Sequence, residues 1–352
     1  MRYKLLGKSG LRVSELCLGT MTFGNECGNM LKGSSKEEAK KIFDLYIDSG
    51  GNFIDTANIY QNGRSEKFLG EFMSGNREQI VLSTKYSLST NPSDANASGN
   101  HRKNLIFSVN ASLDRLKTNY IDLLWIHAWD FVTPINEIMR SLDDLIKDNK
   151  ILYIGISNAP AWMITTANTL AESKGWSKFI SVQILYNLID RTAERELIPM
   201  ANFSDIGITA WSPLANGFLS GKYSYKQNSK SSKNKRLNRD SPFTNLLLNK
   251  RNYTIVNVVK EIAREINVTP SEIALNWLLQ QNKGKIIPII GAKTTTQLKN
   301  NINCLNFKLK KEHIQKLSGI SDIGLGFPHD FLSYEFMQDF LYGSNFYPEN
   351  YR

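Results

Sequence analysis

Short runs of β-branched and aliphatic residues recur along the chain, separated by longer stretches whose apolar positions fall three and four apart. The short runs are Glu15–Leu18, Phe53–Asp55, Ile80–Ser83, Ile121–Ile126, Tyr153–Ile156, Ile180–Gln183, Ile208–Ala210 and Ile286–Pro288, and each predicts a strand. The longer stretches predict helices over Ser35–Ser49, Ser65–Met73, Arg102–Leu116, Pro134–Lys147, Ala161–Ser173 and Thr192–Phe203. A further helical pattern covers Leu246–Gln281 and is interrupted near Thr269–Pro270, where proline withdraws a backbone donor. A last helix begins near Thr295. Eight strands alternating with helices argue for parallel βαβ units, which close into a barrel or open into a doubly wound sheet. Ahead of them, Tyr3–Leu5 and Arg12–Val13 flank Gly7 and Gly10, which predicts a β-hairpin at the bottom of a barrel.

With 352 residues and 41% hydrophobic content, the chain can bury the core of one α/β barrel, and residues 1–352 read as a single domain. No apolar run reaches the roughly eighteen residues of a membrane span. The first twenty residues show no secretory pattern. The three cysteines, Cys17, Cys27 and Cys304, are sparse and lack metal-ligand spacing, which fits reduced thiols in the cytoplasm. The sequence carries no signal for an oligomeric state.

The net charge of +10 is concentrated. From Lys222 to Arg251 there are nine Lys or Arg residues and one acid, Asp240, and the segment 222–244 has no periodicity. A solvated surface loop is the plain reading of such a run. A flexible clamp over a phosphate-bearing ligand is the sharper one. Nucleic acid ranks third, because interleaved aromatics and any recognisable nucleic-acid module are missing. The tail 322–352 carries Phe327, Phe331, Tyr334, Phe336 and Phe340, and is expected to pack on the body.

The informative feature is where polar residues fall. The strand patterns end in or run into Asp55 and Tyr60, then Lys85, then His127, then Ser157 and Asn158, then Gln183 and Asn187, then Trp211 and Ser212. Parallel barrels build their active sites at that C-terminal rim. Taken singly, Asp55 reads as a turn acid, Lys85 as a loop lysine, His127 as a core histidine and Tyr60 as a packing residue. Together, on three consecutive strand ends, they form a chemical set. A phenol has a reference pKa of about 10, and a neighbouring ammonium makes it more acidic. Lys85 supplies that charge, Asp55 keeps Lys85 charged in a buried mouth, and His127 orients a substrate oxygen. The set suits a general acid for a carbonyl receiving hydride. It has no hydrolase nucleophile elbow, and the four histidines are too far apart in sequence to read as a metal site.

The segments Leu16–Gly24, Phe53–Gly63, Leu82–Tyr86, Leu123–Asp130, Ile154–Asn158, Val182–Asn187, Trp211–Tyr223 and Pro288–Asn301 resemble, in order and spacing, those of the aldo-keto reductases. The resemblance runs from Tyr3 to about Leu332, and the residues after His127 and around Pro328 are similar to the branch of aryl-alcohol dehydrogenases and norsolorinic acid reductases. It implies a single (β/α)₈ TIM barrel with an N-terminal hairpin and a long loop after strand seven. It implies an NADPH/NADP⁺-dependent reductase of aldehydes or ketones, with Asp55, Tyr60, Lys85 and His127 as the catalytic tetrad.

By the same likeness Ser157, Asn158 and Gln183 would hold the nicotinamide carboxamide, and Trp211 would lie against the ring. Ser212, Leu214, Gly217 and Lys222 would follow the pyrophosphate, and Gly19 and Thr20 would touch the cofactor. The extra phosphate of NADPH calls for cations or helix N-terminal amides. Gly291, Lys293 and Gln297 open the last predicted helix, and Arg236 sits in the basic run; these are the candidates. Asn301 matches a family asparagine, whereas Asn300 stands where the family usually has glutamate. No GxGxxG fingerprint follows a strand, so a Rossmann site is not supported.

The partner expected is a small carbonyl compound, with no nucleic acid and no membrane. Met21, Phe23, Tyr86, Trp129 and Phe131 read equally as ordinary packing residues or as the lining of an apolar pocket that would suit aromatic substrates. The alternative is an NADPH-binding regulatory module of the potassium-channel β-subunit type, which shares the resemblance. Such subunits carry asparagine where this chain has His127, and His127 favours an enzyme.

Overall fold

A computed structural model describes residues 1–27, 33–223 and 247–343. Strand β1 (Tyr3–Leu5) pairs antiparallel with β2 (Arg12–Ser14). Eight parallel strands follow: β3 (Cys17–Gly19), β4 (Phe53–Asp55), β5 (Val81–Tyr86), β6 (Ile121–Ile126), β7 (Ile151–Ser157), β8 (Phe179–Leu185), β9 (Gly207–Trp211) and β10 (Ile286–Gly291). Each pairs with the next, and β10 returns to β3, so the sheet is a closed barrel and not an open one.

Helices surround it: α1 (Lys36–Asp48), α2 (Arg64–Phe72), α3 (Arg102–Leu116), α4 (Ile135–Lys147), α5 (Ala161–Lys174), α6 (Leu197–Phe203), α7 (Lys250–Glu265), α8 (Pro270–Leu279), α9 (Thr295–Asn303) and α10 (Lys311–Ile320). Short helices α11 (His329–Leu332) and α12 (Glu335–Tyr342) carry the tail. No described helix is long and apolar enough to cross a membrane.

Local chemistry explains the main breaks. Thr269 caps α8 in a reciprocal capping box with Glu272, and Pro270 sits at the first turn, where its missing N–H is harmless. The pattern expected as one helix over Thr192–Phe203 divides into a 3₁₀ turn, Thr192–Glu194, and α6. Pro199 gives the reason: in a continuous helix its ring would meet the carbonyl of Arg195, whereas a start at Leu197 leaves it in the first turn.

The hairpin plugs the N-terminal end of the barrel. Leu6 and Val13 are fully buried and join the interior cluster. Gly7 turns at φ +60°, and a Cβ there would lie 2.4 Å from the Ile180 carbonyl oxygen, so a side chain is excluded. The Lys8 amide donates to the Asp205 carbonyl at 2.8 Å.

Inside the barrel, residues two apart on a strand share a face. The lower inward positions are apolar: Cys17, Phe53, Val81, Leu123, Trp125, Ile287 and Ile289 form one cluster. Trp125 fills the centre because Gly155 opposite it has no side chain; a Cβ there would meet the indole at 2.4 Å. One step further along the same strands the inward positions become polar, at Asp55, Ser83, Lys85 and Gln183, all buried. This layering places the polar centre above an apolar floor.

The tail is held by polar contacts: Arg251 donates to the Ser321 carbonyl at 2.8 Å, Arg195 to that of Gly324 at 3.0 Å, and His329 contacts Glu196 at 2.8 Å. Its aromatic rings lie mostly in solvent, with Phe327 85% and Phe340 82% exposed, and Phe331, Tyr334 and Phe336 pack on one another. Of the basic segment 222–244, only Lys222 and Tyr223 fall among the described residues, and Arg236 lies outside them.

Candidate active site

Three adjacent strands build the centre. Asp55 ends β4, and β5 carries Ser83 and Lys85 on its inward face. The chain after β4 turns sharply, with Gln61 and Asn62 left-handed, and sets Tyr60 over the mouth. His127 follows β6, its amide donating to the Tyr86 carbonyl at 2.9 Å.

Lys85 is fully buried and ion-pairs with Asp55 in a short contact. Its amine also donates to the Thr56 carbonyl at 2.7 Å. It lies 4.9 Å from the centre of the Tyr60 ring. Burial works to discharge the ammonium, but the Asp55 carboxylate and Tyr60 outweigh it and hold the Lys85 pKa above its ordinary value. The Tyr60 and His127 rings meet edge-on, with centroids 6.0 Å apart. Burial first, and the Lys85 charge second, pull the His127 pKa down to about 3, so its ring is neutral at physiological pH. His127 Nδ1 is buried and has no partner among the described residues.

The residues expected at the nicotinamide gather around this centre. Gln183 is buried and donates from its amide to Asp55 at 3.1 Å. The Ser157 hydroxyl donates to the Gln183 carbonyl at 2.9 Å, and the Asn158 amide to the His127 carbonyl at 2.8 Å. Asn158 and Ser212 both adopt left-handed backbone immediately after their strands and turn the chain over the rim. Trp211 is half-buried, and its indole N–H has no partner among the described residues. Gly19 pairs in register with Asp55 on one side and Gly291 on the other. The Thr20 hydroxyl is turned to the Asp55 carbonyl, at 3.1 Å.

A second group lies further out. Leu214 packs partly against the core. The amine of Lys222 lies beside Gly217, 3.2 Å from where a Cβ would stand. At the start of α9 the Gln297 side chain accepts from the Lys293 amide at 2.8 Å, and the buried Asn301 donates to the Gly291 carbonyl at 3.3 Å. Asn300 is half-buried. The Thr295 amide donates to Glu38 at 3.0 Å, so a carboxylate already occupies one amide of this helix terminus.

Of the two readings open for the apolar candidates, ordinary packing holds for Phe23, Tyr86 and Trp129. Phe23, Tyr86 and Trp129 are buried in the core between barrel and helices, with Phe23 edge-on to Phe72 and the Tyr86 hydroxyl on the Asn100 carbonyl. Tyr86 alternates with inward Lys85 and so lies on the outer face of β5, whereas Phe23 and Trp129 fall in the segments after β3 and β6 and pack into the same core. Phe131 instead stands 65% exposed, in left-handed backbone, with Val132 82% exposed beside it. Asp130 fixes this turn by accepting from the amides of Val132 and Thr133 at 3.0 and 2.9 Å.

Two further residues belong to the centre. Ser83 shares the inward face with Lys85, a relation visible as a spacing of two along a strand. Asn58 is 3% exposed, and neither polar atom of its side-chain amide has a partner among the described residues.

Comparison with known proteins agrees with this geometry. The sequence profile of the aldo/keto reductase family matches residues 15–322. An aryl-alcohol dehydrogenase of Pestalotiopsis microspora is 37% identical over 346 residues, covering 95% of this chain and 85% of its own. A norsolorinic acid reductase of Aspergillus flavus is 34% identical, covering 93% of this chain and 83% of its own. An aldo-keto reductase of Emericella nidulans is 34% identical, covering 94% and 84%. The chain belongs to the aldo/keto reductase family.

Proposed function

We propose that this protein uses NADPH to reduce aldehydes or ketones to alcohols, with Tyr60 delivering the proton to the carbonyl oxygen. The carrying observation is Lys85: a buried ammonium kept charged by Asp55 and set 4.9 Å from the centre of the Tyr60 ring. A phenol facing a buried cation gives up its proton more readily than a free one. His127 is neutral at working pH, which suits it to orient the carbonyl by a hydrogen bond and leaves the proton to Tyr60. Family membership supports carbonyl oxidoreduction as the chemistry.

The residues fit a dinucleotide. Trp211 offers a half-buried ring whose N–H has no partner among the described residues, beside left-handed turns at Asn158 and Ser212. Ser157, Asn158 and Gln183 would hold the carboxamide, and Gly19 and Thr20 the adjoining part. Ser212, Leu214, Gly217 and Lys222 would hold the pyrophosphate, and Gly291, Lys293, Gln297, Asn300, Asn301 and Arg236 the adenine end. When bound, the cofactor supplies hydride to the carbonyl carbon. Exposed Phe131 and Val132 beyond His127 favour planar aromatic carbonyls.

NADPH consumption with 4-nitrobenzaldehyde and a quinone tests this reading. Turnover abolished by Tyr60→Phe is expected. Tight NADPH binding without turnover of any carbonyl would favour a regulatory binding module.

A further inference from the structure

Asp55 is the hub of the mouth, and its two oxygens are treated differently. One, Oδ2, faces the Lys85 ammonium. The other, Oδ1, accepts the Ser83 hydroxyl at 2.8 Å and the Gln183 amide at 3.1 Å. The donors come from opposite sides. Ser83 lies on the neighbouring strand, directly in register with Asp55. Gln183 reaches from β8, four strands round the barrel from β4. Ser83 is completely buried, and its hydroxyl has one proton to give. The Ile54 carbonyl stands at 3.2 Å, but the nearer, charged oxygen is the stronger acceptor.

We propose that Ser83, with Gln183 opposite, is a positioning residue that fixes the Asp55 carboxylate and so sets how strongly the Lys85 ammonium acts on Tyr60. This rests on the reading of Tyr60 as proton donor. Two neutral donors on Oδ1 draw negative charge away from the oxygen facing Lys85, and they prevent the carboxylate from rotating to meet the amine with both oxygens. The ammonium then keeps more of its field for the phenol. Without Ser83, Asp55 neutralises Lys85 more completely, and the phenol becomes a weaker acid.

Other titratable groups at this centre do not obscure the effect. His127 is neutral above about pH 3. Burial raises the thiol pKa of Cys17, which faces Asp55 and Lys85 from β3, well above its usual range, so it too stays neutral.

The test uses the full chain with NADPH and a carbonyl substrate. Reduction needs the protonated phenol, so the rate falls as pH rises through the Tyr60 pKa. Ser83→Ala is expected to move this basic limb upward by about half a unit to one unit, and to lower kcat about three- to tenfold with KM for the carbonyl unchanged. Ser83→Thr, which keeps the hydroxyl, should return the limb to its wild-type position. Ser83→Cys, of similar volume and a weak donor, should fall between the two and covers the case in which Ser83→Ala does not fold.

A second reading without turnover is the ultraviolet phenolate titration of the component that disappears in Tyr60→Phe, which should shift by the same amount. A limb and a titration that stay in place, or move down, in Ser83→Ala and Ser83→Cys overturn the proposal. Turnover retained by Tyr60→Phe would instead refute the proton-donor reading itself, so the two failures are told apart.

Discussion

Two buried carboxylates in this barrel each hold a cation, and their surroundings differ. Glu194 sits between the barrel and the tail. It accepts from Tyr186 at 2.6 Å and from Arg191 at 2.7 and 3.0 Å, and it also takes Lys283. Arg191 in turn donates to the Ser318 carbonyl at 2.6 Å and the Ser321 hydroxyl at 3.0 Å, under the Trp277 ring. That network is closed on itself, and its product is the anchoring of the chain before the tail. Asp55 at the mouth is equally well held, but the groups around it are not satisfied. His127 Nδ1, the Trp211 indole N–H and the whole Asn58 amide are buried without partners among the described residues. Among the described residues Trp125, Trp129 and His313 also bury an unpartnered nitrogen, but an unmade buried hydrogen bond costs about 1–3 kcal/mol, and finding three such residues beside the charged centre supports reading the rim as the place that receives a ligand. A buried ion pair alone says little about function; unfinished polar bonding beside it says more.

Breaking each cluster should therefore give opposite phenotypes. Tyr60→Phe should lower carbonyl reduction by about 10²–10⁴-fold with NADPH affinity nearly unchanged, seen by comparing turnover with cofactor fluorescence titration. Lys85→Met should be comparably severe, because the phenol loses its charge partner. Arg191→Met should leave turnover per folded molecule intact while destabilising the fold by about 1–3 kcal/mol, read from denaturant unfolding, since Glu194 keeps Lys283 and Tyr186 but the bonds to Arg191 and its anchors at Ser318 and Ser321 are lost.

His127 gives a smaller effect, with a definite sign. Its folded pKa of about 3 lies below the unfolded value of about 6.5, so the unfolded chain takes up the proton first. Stability is complete above about pH 6.5 and declines as pH falls from there towards 3; by pH 5 the loss is about 1–2 kcal/mol. His127→Asn should remove that part of the acid sensitivity in paired unfolding curves at pH 7 and pH 5. The smallest effect expected is at the adenine end. Lys293→Glu should weaken NADPH about tenfold, or about 1.4 kcal/mol, with little change for NADH. Equal losses would move the phosphate away from α9.

Much of this was legible in the sequence because barrels separate structure from chemistry along each strand. The alternation of strands and helices announced the βαβ units, and polar residues at the ends of apolar runs announced the rim. Asp55, Lys85, His127 and Gln183 were found that way, and the structure brings all four together with Tyr60. Other features depend on what lies opposite in space. Nothing local to Phe23 or Tyr86 says what will cover it, so each read equally as pocket or as packing, and both are core. The split before α6 was visible in Pro199 and was outweighed by the apolar spacing around it. The two donors on one oxygen of Asp55 required knowing that β4 and β8 face each other across a closed barrel, which no stretch of sequence states.

The most direct test of the account is the pair of NADPH measurements on wild type and Tyr60→Phe, turnover with 4-nitrobenzaldehyde and cofactor binding in the absence of carbonyl. The account predicts wild-type turnover, near-complete loss in the variant, and matching cofactor affinities. Undiminished turnover in Tyr60→Phe would contradict it.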